Sequence, residues 1–183
     1  MNTGVSDLRY HCTTVTSTSA DELKLGYEAV FTVTEYYDGP LQGIANYHGS
    51  PHFYDCIFDE AQDEYSQLFR ITPVDSATFD LAMEAWEIWR RWELAFQTGK
   101  TPDSTHPALP QDAGRSAELK RTLERVLVTD PQRSRVLKGA FEVCGKHNLP
   151  KGVLRPLQVK WSQPQGPSHR QHSVSGKSEN TKD

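Results

Sequence analysis

His48 and His52, four positions apart, are the residues whose type and spacing most strongly suggest chemistry. Imidazole binds divalent metals and exchanges protons near neutral pH, and on a helix this spacing would direct both rings at one ion. The glycine and proline in residues 49–51 rule out a helix here. A three-residue loop would place the histidines opposite each other in a hairpin, sharing a face with Tyr54, whereas a two-residue loop would set His52 against Tyr47.

A metal site at this hairpin lacks a third ligand. Asp55 points to the opposite face when the histidines are paired, and Cys56 lies two pairs farther along. The acidic residues 59–64 lack the spacing of an EF-hand and are typical of a solvated loop. We therefore expect no metal and no cofactor, and keep a small metal-binding protein or an acid/base enzyme centred on His48, His52 and Asp55 as the alternative function.

The aromatic residues around this hairpin favour binding over catalysis. Tyrosine suits exposed recognition because its ring is apolar and its tip is polar, while the nucleophile-elbow and phosphate-loop motifs are absent from the sequence. We expect a tyrosine-rich acidic sheet surface that recognises another protein. Its predicted residues are Tyr36, Tyr37, Asp38, Tyr47, His48, His52, Tyr54 and Asp55.

Charge is distributed unevenly along the chain. Residues 1–75 contain three lysines and arginines against twelve aspartates and glutamates, whereas residues 115–160 contain eleven against four. The acidic half would repel phosphates, so nucleic acid is not the expected partner of the tyrosine surface. The basic half is spread over several elements, which favours charge complementarity within the fold over a nucleic-acid contact.

The cysteines and the hydropathy pattern indicate a compartment. Cys12, Cys56 and Cys144 are odd in number and form no C-x-x-C pair, which is typical of a reducing cytoplasm. The sequence shows neither a secretory signal pattern nor an apolar run of about 20 residues that could span a bilayer. We expect a soluble cytoplasmic protein without membrane association.

Strand patterns flank a helical middle. Alternating apolar and polar residues predict strands over residues 27–37, 43–48, 52–58, 68–74, 140–145 and 157–161. Residues 76–99 predict a helix capped by Asp75 or Ser76, and a second, more charged helix ends near Asp130. One arc of the first helix carries residues that we expect to form the core: Leu81, Ala82, Ala85, Trp86, Ile88, Trp89, Trp92 and Phe96.

These elements predict an α+β fold. An antiparallel sheet of about four N-terminal strands, with one or two C-terminal strands, would pack on the tryptophan-rich central helix and on the second amphipathic helix. Residues 25–161 would form a single globular domain. Residues 1–24 predict a flexible arm and residues 162–183 a disordered tail, because both have few large apolar side chains to bury.

Overall fold

The computed structural model describes residues 23–37 and 39–164. Four antiparallel strands are followed by two helices and then by two more strands, which is the order predicted from the sequence. The strands are β1 (Glu28–Tyr36), β2 (Pro40–Tyr47), β3 (Ser50–Asp59), β4 (Glu64–Pro73), β5 (Arg135–Val143) and β6 (Leu157–Ser162). Helices α1 (Ser76–Gln97) and α2 (Ala113–Val126), with a short 3-10 helix at Asp103–Thr105 between them, connect β4 to β5. The predicted arm and tail lie outside the described residues, apart from residues 23, 24 and 162–164.

The six strands form a closed barrel. Each strand pairs with the next one along the chain, and β1 pairs with β6 through Glu28 opposite Val159 and Ala29 opposite Gln158. The side-chain oxygen of Gln158 accepts a hydrogen bond from the backbone amide of Lys24 at 3.0 Å, which fastens the start of β1 to β6. The predicted open sheet on a central helix is therefore wrong.

The barrel differs from the predicted sheet because its apolar face is covered from within. Side chains from all six strands meet inside the barrel, so a helix is not needed to bury them. Aromatic rings fill much of this interior, with ring centroids 5.2 to 6.4 Å from that of Tyr54. The buried interior residues are Val30, Val33, Ala45, Tyr54, Phe69, Ile71, Leu137, Leu157 and Val159, with Phe141 and Trp161 packed against them.

Helix α1 packs outside the barrel and shares a second, smaller core with α2. Ile88 of α1 and Leu119 of α2 are almost fully buried and form this core with Ala108. Asp75 caps α1 as predicted, accepting a hydrogen bond from the backbone amide of Thr78 at 2.8 Å. Within the described ranges, neither helix combines the length and apolar character needed to cross a membrane.

Candidate functional site

The histidine hairpin adopts neither of the two registers considered from the sequence. Its turn consists of His48 and Gly49, both with positive φ angles of 52° and 74°, so that Tyr47 faces Ser50 and His52 faces Ala45. Positive φ at both central residues is typical of the tight turns that join twisted strands. His48 and His52 are therefore not opposed across the hairpin.

The turn is held by Glu28 of β1. Its carboxylate accepts hydrogen bonds from the backbone amides of His48 at 2.7 Å and Gly49 at 2.9 Å. Tyr47 contacts both imidazoles, with ring centroids 4.1 Å from His48 and 5.5 Å from His52. Over residues 23–37 and 39–164, no three His, Cys, Asp or Glu side chains come together as a group able to hold a metal. The metal or acid/base alternative stays a prediction.

The predicted tyrosine surface is divided between the barrel interior and solvent. Tyr54 is fully buried, and its hydroxyl donates to the backbone oxygen of Thr32 at 3.2 Å. Burial raises the pKa of Tyr54. Tyr36 and Tyr37 are 59% and 69% exposed at the end of β1, while Tyr47 is half-buried.

The two predicted aspartates add little to this surface. Asp55 is half-buried and accepts a hydrogen bond from the side-chain amide of Gln42 at 3.4 Å, and Asp38 lies outside the described residues. Since Tyr54 points into the barrel, the predicted set does not form one continuous surface. Recognition of a partner protein through the remaining tyrosines stays a prediction.

Cys56 provides a test of whether the hairpin region contains an activated nucleophile. Its thiol donates to the backbone oxygen of Ser66 at 3.2 Å, and burial, with the charge of Asp55, raises the Cys56 pKa to about 11. Thiolate is the reactive form, so we expect alkylation of Cys56 by iodoacetamide to accelerate about tenfold per pH unit between about pH 7 and pH 9. Mass spectrometry of the Cys56 peptide measures this rate.

The control for the Cys56 prediction is the same reaction in denaturing urea. There the thiol should titrate with an ordinary pKa of about 8.5 and its reactivity should level off. A folded protein whose Cys56 reactivity also levels off below about pH 9 would contradict the prediction, and levelling off below about pH 7.5 would indicate an activated cysteine.

A cleft of about 880 Å³ is bounded by β1, β2, α1, α2 and residues 152–155. It exists because β6 begins only at Leu157, opposite the early part of β1. From Thr32 onward, β1 extends past the start of β6, and its residues Thr32, Val33, Thr34 and Tyr36 line the cleft.

Two tryptophans form one wall of the cleft. Trp86 and Trp89 of α1 are half-buried, and their rings stack with centroids 4.8 Å apart and planes inclined by 16°. Leu123 of α2 and Leu127, directly after α2, line the cleft, and Phe53 lines it from the sheet. Aromatic and aliphatic walls with few polar groups are characteristic of sites for small organic ligands.

A buried ion pair fixes the segment that forms the opposite wall. Arg90 and Glu93, one turn apart on α1, are 8% and 5% exposed and form a salt bridge. Arg90 also donates to the backbone oxygen of Leu154 at 2.7 Å, and Glu93 accepts from the backbone amide of Leu154 at 2.7 Å. The pair thus holds both backbone polar groups of one cleft residue, and we call this arrangement the Leu154 clamp.

Burial dominates the electrostatics of the Leu154 clamp. It raises the pKa of the Glu93 carboxyl, against the lowering effects of the Leu154 amide and of Arg90. It also lowers the pKa of the Arg90 guanidinium, which the charge of Glu93 opposes. The Glu93 charge is therefore supported by the Leu154 amide and by Arg90, and the Arg90 charge by Glu93, since an isolated buried charge is strongly unfavourable.

Sequence reasoning assigned the cleft tryptophans to the core. Trp92 is buried as predicted, with its indole nitrogen donating to the Thr105 hydroxyl at 2.9 Å. Trp86 packs against the barrel core and also lines the cleft, whereas Trp89 lines the cleft without joining either core cluster. The sequence did contain one indication of the cleft. The apolar side of α1 is wider than the surface that a single packed neighbour can bury, so part of it had to remain uncovered. Arg90 and Glu93 carried no such signal because their partner is a distant backbone segment.

Comparison of the chain with protein-family models, with curated proteins and with solved structures finds no match in any of the three. The fold and the cleft define the class directly: a closed six-stranded antiparallel barrel with a two-helix insertion that forms one side of an apolar cleft.

Proposed function

We propose that this protein binds a small, largely apolar organic molecule in the cleft between the barrel and its two helices. The observation that carries the proposal is the stacked Trp86 and Trp89 pair, half-buried beside a cleft of about 880 Å³. Ligand pockets in proteins typically have volumes of about 300 to 1,000 Å³. The cleft therefore has the size to enclose most of a drug-sized molecule.

The walls of the cleft supply the binding energy and the selectivity for apolar shape. Tryptophan offers a large flat face to an aromatic ring, and the leucines of α2 complete an apolar lining. Removing apolar surface from water contributes about 25 cal/mol per Å². The Leu154 clamp keeps the opposite wall in place before a ligand arrives, which reduces the ordering cost of binding.

The first test uses the neutral dye N-phenyl-1-naphthylamine, whose emission rises in an apolar site. We expect saturable binding that also changes the intrinsic fluorescence of Trp86 and Trp89. Ser116 lines the cleft from α2, so S116F should fill part of the volume and weaken dye binding by at least about tenfold. Titration of dye emission gives the dissociation constants.

The matched control is the same substitution at the neighbouring position. Ala117 is exposed on α2 and does not line the cleft, so A117F should leave dye affinity within about twofold of the wild type. Thermal unfolding of both variants checks that each is folded. Equal dye affinity in S116F and the wild type would count against binding in the cleft.

A further inference from the structure

We infer that the ligand of the cleft is an organic anion, with an apolar body against the tryptophans and an acidic group between Lys120 and Arg155. This inference rests on the proposed function and adds the chemical class of the ligand. Lys120 lines the cleft from α2, and Arg155 lines it from the segment that follows Leu154. The two cations thus come from separate walls.

The acidic side chains near the cleft are already committed to other partners. Glu93 also lines the cleft, but its oxygens face Arg90 and the amide of Leu154. Elsewhere on the two helices, the carboxylate of Glu84 binds Arg115 at 2.6 Å. None of these carboxylates is directed at the cleft cations.

A further carboxylate near the two helices is also paired with an arginine. The carboxylate of Asp112 binds Arg91 at 3.1 Å, and both groups lie away from the cleft lining. Like Glu93 and Glu84, Asp112 is paired with an arginine outside the lining and not with either cleft cation. An anionic ligand would pair with those cations.

The two cations are not neutralised by the described part of the chain. Arg155 has no hydrogen-bond or ion-pair partner among residues 23–37 and 39–164. Lys120 has a single acidic neighbour, Glu124 at 3.9 Å, and both side chains are more than 60% exposed. Exposed pairs at this separation contribute little. A cleft with apolar walls and uncompensated positive charge is complementary to an amphipathic anion.

Exposure places the acidic group at the solvent side of the cleft. Lys120 and Arg155 are both exposed, whereas Trp86 and Trp89 are half-buried. An anion bound there would keep part of its hydration while its apolar body displaces water from the indole rings. This arrangement avoids the large cost of burying an unpaired charge.

A pair of dyes that differ by one sulfonate tests the inference. The dye 8-anilinonaphthalene-1-sulfonate has the body of N-phenyl-1-naphthylamine with an added anionic group. In the double variant K120Q/R155Q we expect the affinity for the sulfonate dye to fall about five- to tenfold. The affinity for the neutral dye should change by less than about twofold, because its contacts are apolar.

The matched control removes two positive charges from exposed positions outside the cleft. Arg121 on α2 and Lys160 on β6 are exposed and do not line the cleft, so R121Q/K160Q should change neither affinity by more than about twofold. Rising salt should weaken the sulfonate dye in the wild type more than in K120Q/R155Q.

The outcomes separate the inference from the proposed function. If the wild type binds the neutral dye but K120Q/R155Q binds the sulfonate dye as well as the wild type does, the inference is overturned and the cleft remains a site for apolar molecules. A parallel loss of affinity for both dyes also overturns it, since that indicates a damaged cleft. If the wild type does not bind the neutral dye, the proposed function fails, and the inference that rests on it fails too.

Discussion

Replacement of Gly43 by alanine is expected to disrupt the pairing of β1 with β2 and to destabilise the barrel strongly. Gly43 lies in the middle of β2, and a Cβ atom there would sit 2.0 Å from the backbone oxygen of Thr32 and 2.7 Å from the Tyr54 hydroxyl. The Thr32 oxygen belongs to the neighbouring strand, so it cannot move aside without disrupting the pairing of β1 with β2. We expect G43A to lose about 4 kcal/mol or more of unfolding free energy, as measured by urea titration with circular dichroism.

Gly114 provides the control for this substitution. It lies in the first turn of α2, and a Cβ atom added there meets nothing within 4 Å. G114A should be neutral or should stabilise the protein by about 0.5 kcal/mol, because alanine loses less backbone entropy in a helix than glycine. If G43A and G114A unfold at the same urea concentration, the close approach between β1 and β2 is wrong.

The second large effect is expected at the Leu154 clamp. In E93L, the charge of Arg90 stays buried without its partner, and the amide of Leu154 loses its acceptor. Breaking a buried ion pair by removing one partner costs about 3 to 5 kcal/mol. We expect this loss in the free energy of unfolding, together with weaker binding of N-phenyl-1-naphthylamine, because the wall formed by residues 152–155 is no longer anchored.

Glu84 on the same helix offers a matched comparison. Its carboxylate binds Arg115 in two places, at 2.7 and 2.6 Å, but both side chains are 42% exposed. An exposed pair contributes about 0.2 to 1 kcal/mol, so E84L should be only slightly less stable than the wild type. Equal losses in E84L and E93L would show that burial of the Arg90 pair has no energetic consequence.

The local elements could be predicted from the sequence, whereas barrel closure could not. Alternating residues revealed the strands, and Asp75 revealed the start of α1, because both signals depend on neighbours in the chain. Closure depends on β1 pairing with β6 from the other end of the described chain, and no local pattern reports such a pairing. Gly43 is a local hint of a different feature, the close approach of β1 and β2, since a glycine inside a strand often marks a close approach of two backbones.

The candidate site was harder to predict because residues on the same side of a helix can be buried in the core or can line a cleft, depending on what packs against them. Trp86 and Trp92 lie on the same apolar arc, yet Trp92 is buried and Trp86 lines the cleft. Periodicity identifies the apolar side of a helix but not what covers it. The spacing of Arg90 and Glu93 on α1 is typical of an exposed ion pair. The pair is instead buried where it binds the backbone of Leu154, which is distant in the sequence.

The strand register of the histidine hairpin could not be predicted from the sequence either. The sequence signal for the tightest turns is Asn-Gly or Asp-Gly, and His48 with Gly49 lacks it. A histidine with positive φ is uncommon, and both loops considered from the sequence began at Gly49, one residue later than the observed turn. The hydrogen bonds from His48 and Gly49 to Glu28, which belongs to a different strand, stabilise the observed turn.

The Leu154 clamp recognises only main-chain atoms, and this has a consequence for altering ligand preference. Arg90 and Glu93 would hold the path of the wall equally well with a different residue at position 154, provided that it keeps its amide hydrogen. The side chain at this position lines the cleft and also packs against the barrel core, so an apolar replacement of similar size would alter the cleft without altering the anchoring of its own segment. Position 154 is thus a suitable starting point for engineering new specificities on this scaffold.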